Sequence, residues 1–130
     1  MGTQRRKTHH DLILWQKAVD LASEAYRITS AFPRSEVYGL ASQMRRAAVS
    51  VPSNIAEGAA RRTSRDFLAF LHVARGSLAE LETQLLIAQR VGLMQPAASL
   101  ELQDLIDEVG RVLQAFINSL RERAGVASSA

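Results

Sequence analysis

Six arginines in the middle of the chain, Arg45, Arg46, Arg61, Arg62, Arg65 and Arg75, are the side chains best suited to do chemistry. A guanidinium presents a planar fork of N–H donors that clamps a phosphate through two parallel hydrogen bonds. The set therefore points to the backbone of RNA or DNA. Ion pairing with Glu57, Asp66, Glu80 or a neighbouring subunit is the competing use. Arg65 and His72 are seven residues apart and share one helix face. A histidine acid–base beside an arginine that stabilises a phosphorane-like state would be ribonuclease chemistry. A polar row, Gln43, Arg46, Ser50, Asn54, Glu57 and Arg61, recurs every three or four residues. Its expected use is a structural network at a kink or a subunit contact, with binding second. His9-His10-Asp11 is a weak chelating set near a chain end, so no metal is assigned. No glycine follows phosphate-loop or dinucleotide spacing, so no cofactor is assigned either. The expectation is a binding protein and not an enzyme.

The composition narrows the classes. The 130 residues include no Cys, which removes disulfides, thiolate metal sites and cysteine nucleophiles. That suits a reducing cytosol. No apolar run approaches the roughly 18 residues of a membrane span. The basic start, MGTQRRKTHH, runs into Asp11, Gln16, Lys17 and Asp20, not into a signal-peptide core. A cytoplasmic protein without membrane contact is expected. The net charge of +3 is unevenly spread, since residues 1–62 hold ten of the 16 Lys/Arg and five of the 13 Asp/Glu. A basic half is compatible with a polyanionic partner. The few aromatic residues fall mostly at core positions, so no base-stacking platform is expected. Binding would be backbone-directed, weakly sequence-selective and salt-sensitive.

Four helices must position these groups. Apolar spacing predicts the first from Asp11, a plausible N-cap, to Ala31, with Leu12, Trp15, Val19, Ala22, Ala25 and Ile28 on one face. Phe32-Pro33 ends it. The second starts near Ser35 with a stripe of Leu40, Met44, Ala47, Val51, Ile55 and Ala59, and Pro52 predicts a kink or break. The proline frees the Ala48 carbonyl, which Ser50, Ser53 or Asn54 could help to satisfy. Thr63-Ser64-Arg65-Asp66 fits a capping box and starts the third helix, which runs to Val91 before Gly92. Its stripe is Phe67, Leu71, Ala74, Leu78, Leu81, Leu85 and Ala88. Gly76, beside Ala69, Ala79 and Thr83, predicts a close helix approach within or between subunits. The fourth helix, Pro96 to Arg123, carries a broad stripe that could touch two neighbours or another subunit. The fold class is an all-α, antiparallel up-down four-helix bundle. Residues 1–10 are a flexible basic segment, 11–123 the bundle and 124–130 a frayed tail.

The motifs in this order resemble a known family. Asp11-Leu12 with Trp15, Phe32-Pro33, Glu36, Tyr38-Gly39-Leu40, Gln43 and Arg45-Arg46-Ala47-Ala48 begin the match. Ser50-Val51-Pro52, Asn54-Ile55-Ala56-Glu57-Gly58, Phe67, Phe70-Leu71, Ala74-Arg75-Gly76-Ser77-Leu78 and Glu80-Leu81-Glu82 continue it. Together they resemble the four-helix bundle family named after the 23S rRNA intervening sequence, over Asp11 to Leu120. Met44 and Val51 stand where other aliphatics are expected. The resemblance implies a ring-like homo-oligomer, most simply a homopentamer. It also implies kinship in fold with the accessory protein of diversity-generating retroelements, a basic pentameric barrel that binds nucleic acid and a reverse transcriptase. Expected partners are thus further copies of the chain and RNA, DNA or a nucleic-acid enzyme. The alternative is a protein-interaction scaffold without nucleic acid.

Overall fold

The computed structural model describes residues 8–125. Four helices account for most of them: α1 Ile13–Thr29, α2 Leu40–Ala59, α3 Ser64–Arg90 and α4 Pro96–Ala124. Single 3-10 turns at His9–Asp11 and Arg34–Glu36 precede α1 and α2, and no strand occurs among the described residues. Each helix packs on its sequence neighbours, and α4 closes back onto α1. The pairs Lys17–Glu108 and Arg27–Glu101 set α1 antiparallel to α4. Ser50–Ser77 with Gly58 against Phe67 does the same for α2 and α3, as Arg75–Gln114 and Gln103–Glu82 do for α3 and α4. The result is an up-down bundle.

One apolar core runs its length, with Leu21, Met44, Val51, Ile55, Leu71, Leu81, Leu85, Leu102, Leu113 and Ile117 fully enclosed. The stripe of α2 is rotated slightly from the expected one. Ala41 and Gly58 are buried where Leu40 and Ala59 are only half-buried. In α3, Leu68 is buried and Phe67 is half-buried, its ring 5.4 Å from that of Phe116.

Three local expectations need correction. Asp11 does not cap α1. It sits inside the 3-10 turn, where its carboxylate accepts from the Thr8 N–H at 3.0 Å, and Leu12 occupies the N-cap. The second helix begins at Leu40 because the chain first makes the 3-10 turn and reaches Gly39 in a backbone conformation outside the helical region. Of the kink or break expected at Pro52, the break does not occur, since α2 is continuous through a buried proline. The expected start of α3 holds, with the Thr63 hydroxyl accepting from Asp66 N–H at 3.1 Å. Gly92, at φ +79°, ends α3, and Leu93 N–H reaches back to the Ala88 carbonyl at 2.9 Å. Residues 8–10 are folded into the first turn, while residues 1–7 and 126–130 of the expected terminal segments lie outside the described residues.

Candidate nucleic-acid interface

The six arginines do not form one patch. Arg45 and Arg46 sit in the first half of α2, about 20 Å along its axis from Ala59, where the chain turns toward α3. Arg61, Arg62 and Arg65 cluster at that turn, and Arg75 lies further along α3.

Their engagement differs as much as their position. Arg45 is fastened to α1. Its Nε donates to Thr29 Oγ1 at 2.8 Å, its Nη2 reaches the Tyr26 carbonyl and Ser30 Oγ at 3.4 Å, and its guanidinium lies 4.6 Å from the Tyr26 ring centroid. The buried Thr29 hydroxyl in turn donates to the Ala25 carbonyl at 2.7 Å. Arg61 pairs with Glu57 at 3.3 Å and covers the Phe70 ring at 4.6 Å. Arg75 donates to Gln114 on α4 at 3.0 Å. Arg46, Arg62 and Arg65 are exposed and make no side-chain hydrogen bond or ion pair with the described residues.

The polar row of α2 divides. Ser50 and Asn54 are half-buried against α3. Ser50 Oγ lies 2.7 Å from the buried Ser77 hydroxyl, and Asn54 Nδ2 donates to Ser50 Oγ at 2.9 Å and to the Ser50 carbonyl at 2.8 Å. This is a polar staple across the α2–α3 contact. None of Ser50, Ser53 and Asn54 reaches the Ala48 carbonyl that Pro52 leaves free. Gln43 and Arg46 line an open groove with Glu80 and Gln84, and the buried Gln84 Oε1 lacks a hydrogen-bond partner. Glu57 belongs to the exposed pair with Arg61.

The hydrogen-bond partner of His72 is Arg121 on α4, not Arg65. The Nε2 of His72 faces Arg121 Nη2 at 3.2 Å, so the guanidinium donates and the imidazole accepts. Burial, reinforced by the charges of Arg75 and Arg121, lowers the His72 pKa below the ordinary histidine value. His9 and His10 pack edge-on against Trp15, with centroids 5.0 and 5.1 Å away. No group of three or more His, Asp or Glu side chains gathers as a metal site among the described residues.

The groove between α1 and α4 has the opposite sign. Asp20, Glu24, Glu101, Asp104 and Glu108 line it, with Lys17 on Glu108 and Arg27 on Glu24 and Glu101. Hydrogen bonds from Lys17 and Arg27 hold Glu108 and Glu24 below the usual carboxylate range.

Sequence reasoning missed two exposed rings. Tyr38 is 96% exposed and Tyr26 47%, both beside Arg45 and Arg46, so the aromatic residues are not confined to the core. Ser77 carried a usable signal, since it is a polar residue that falls within the buried stripe of α3. Arg121, 49 positions from His72, carried none.

The family model for the 23S rRNA-intervening sequence protein matches residues 10–115. The chain belongs to this family. Among solved structures, the chain is similar to a protein of unknown function from the S23 ribosomal protein family of Bacteroides thetaiotaomicron. The two share 18% identity and superpose with a TM-score of 0.73, over 81% of this chain and 98% of that one. At that identity the likeness concerns the fold alone. No curated protein matches this family member. No helix among its described residues is long and apolar enough to cross a membrane.

Proposed function

We propose that this member of the 23S rRNA-intervening sequence protein family is a non-catalytic, self-assembling bundle that grips the sugar–phosphate backbone of RNA or DNA at the α2–α3 turn. One observation carries the reading: Arg62 and Arg65 project from that turn without carboxylate partners, next to Arg61. A surface arginine gains little from an exposed ion pair, whereas two unpaired forks on one turn are each free to take a phosphate. Of the six arginines first considered, Arg45 and Arg75 contribute least, because α1 and α4 already hold them.

Self-assembly rests on α3. Gly76 is exposed, and a Cβ there would meet nothing within 4 Å, so no contact inside the protomer accounts for a helix-weakening glycine. Exposed Val73 and Ile87 extend the same outward side. A second copy closing on that side fits both observations, and a ring, most simply of five copies, would multiply a modest backbone affinity. The scaffold reading uses this same surface without nucleic acid. The ribonuclease reading would need His72 and Arg65 to act on one phosphate, whereas the contact that His72 makes is with Arg121.

Binding to mixed-sequence RNA and DNA, measured from low to physiological salt, tests the proposal. Affinity should fall steeply with salt, and the double variant Arg62→Ala/Arg65→Ala should reduce the log–log slope by about 2. Unchanged binding in that variant, or none in the parent at low salt, leaves the scaffold. Sedimentation at micromolar concentration tests assembly, and a monomer there would refute the ring.

A further inference from the structure

We infer that the groove between α1 and α2, at the end away from the α2–α3 turn, binds an unpaired base of single-stranded nucleic acid, stacked on Tyr38 with Arg46 on the adjoining phosphate. The proposal takes its ligand class from the reading above and places a second, separate site on it.

The groove is an open depression of about 500 Å³ lined by Tyr26, Tyr38, Arg45, Arg46, Val37 and Val49, with two serines completing its lining. No carboxylate lines it. The nearest in sequence, Glu36, is turned to the start of α2, where its Oε1 accepts from Leu40 N–H at 3.2 Å. The groove is therefore aromatic and positively charged at once, which complements a base joined to a phosphate.

Each ring has a distinct position. Tyr26 has one face under the Arg45 guanidinium, which is fixed by Thr29, so that half of the groove is already built. Tyr38 stands 96% exposed on the short turn between the 3-10 segment and Gly39, with both faces open. A tyrosine is a large, stiff amphipathic surface, and a base can use either face. Arg46 lines this groove as well as the one beside Glu80 and makes no side-chain hydrogen bond or ion pair with the described residues, and the Nη1 group of Arg45 is also unengaged. Stacking on a protein ring requires an exposed base, so the site selects single strands over duplex, and because every base has a π-face it tolerates sequence.

The test uses the full chain and fluorescence anisotropy at low salt. The probes are labelled mixed-sequence single strands of RNA and DNA, and a duplex of equal length. Tyr38→Ala should weaken single-strand binding roughly tenfold and leave duplex binding unchanged. Tyr38→Phe keeps the ring and should bind like the parent, and Arg46→Ala should weaken binding while increasing its tolerance of salt less than the turn variant does. Equal single-strand affinity in Tyr38→Ala overturns the site. So does an equal loss on duplex, or a shift in sedimentation with affinity unchanged, which would make the groove a contact between copies. If Arg62→Ala/Arg65→Ala binds like the parent while Tyr38→Ala does not, the groove stands and the turn falls. The reverse pattern removes the groove and keeps the turn.

Discussion

Glycine shows how identical residues in a helical sequence hold different positions. A Cβ at Gly58 would come within 2.8 Å of both Phe67 Cδ1 and Phe70 Cβ, so α2 and α3 pack through it. Gly76, the glycine singled out from the sequence, has open space instead. Gly58→Ala should destabilise the protomer by about 1–2 kcal/mol in urea unfolding, because overpacking outweighs the gain in helix propensity. Gly76→Ala should raise stability by up to about 1 kcal/mol if the protomer alone matters. If a second copy closes there, it should instead weaken the assembly in sedimentation. His72 adds a pH dependence. Its folded pKa is lowered, so the unfolded chain binds the proton more readily, and stability must fall as pH drops through the ordinary histidine value of 6.5 toward the lowered one. Melting temperatures of His72→Gln should vary less between pH 7.5 and 5.5 than those of the parent. An identical slope would mean that His72 contributes none of it. Arg121, which contacts His72, is on another helix, and no spacing within α3 reveals that contact.

At the level of the elements, much was legible because the signals are local. Apolar stripes at spacings of three and four, the Thr63 cap and Gly92 each act within a turn or two, and α3 follows them closely. The failures have equally physical causes. Thr8 competes for Asp11 and draws it into a preceding turn. The Pro52 ring finds a buried place that propensity alone cannot anticipate. The polar stripe was visible as a period, but its division was not, because what separates Ser50 and Asn54 from Glu57 is the opposite wall, Ser77 on α3. Ser77→Ala should cost about 1 kcal/mol, the usual net worth of a hydrogen bond, and Asn54→Ala a similar amount. Since both act through Ser50, the double variant should lose less than the sum. Strict additivity in denaturant unfolding would show that the staple is two independent contacts.

Across the whole molecule, the chain-half charge asymmetry proved a poor guide to surface. Charges from both halves meet in the α1–α4 groove, where Glu24 from one and Glu101, Asp104 and Glu108 from the other stand together. Only the antiparallel return of α4 onto α1 makes that collection. The arginines, spread over positions 45 to 75, separate because helices of 20 and 27 residues carry them to different levels of the bundle. The acidic groove limits where a nucleic acid can go. A strand bound as proposed would have to cross those carboxylates to pass around a protomer, so it would be confined to one flank. The occupied length per protomer is then bounded by α3, about 40 Å for its 27 residues, or about twelve base pairs at 3.4 Å each. Titration with duplexes of increasing length should show affinity per protomer levelling off near that size. Gains continuing well beyond it would mean that the strand wraps the protein after all.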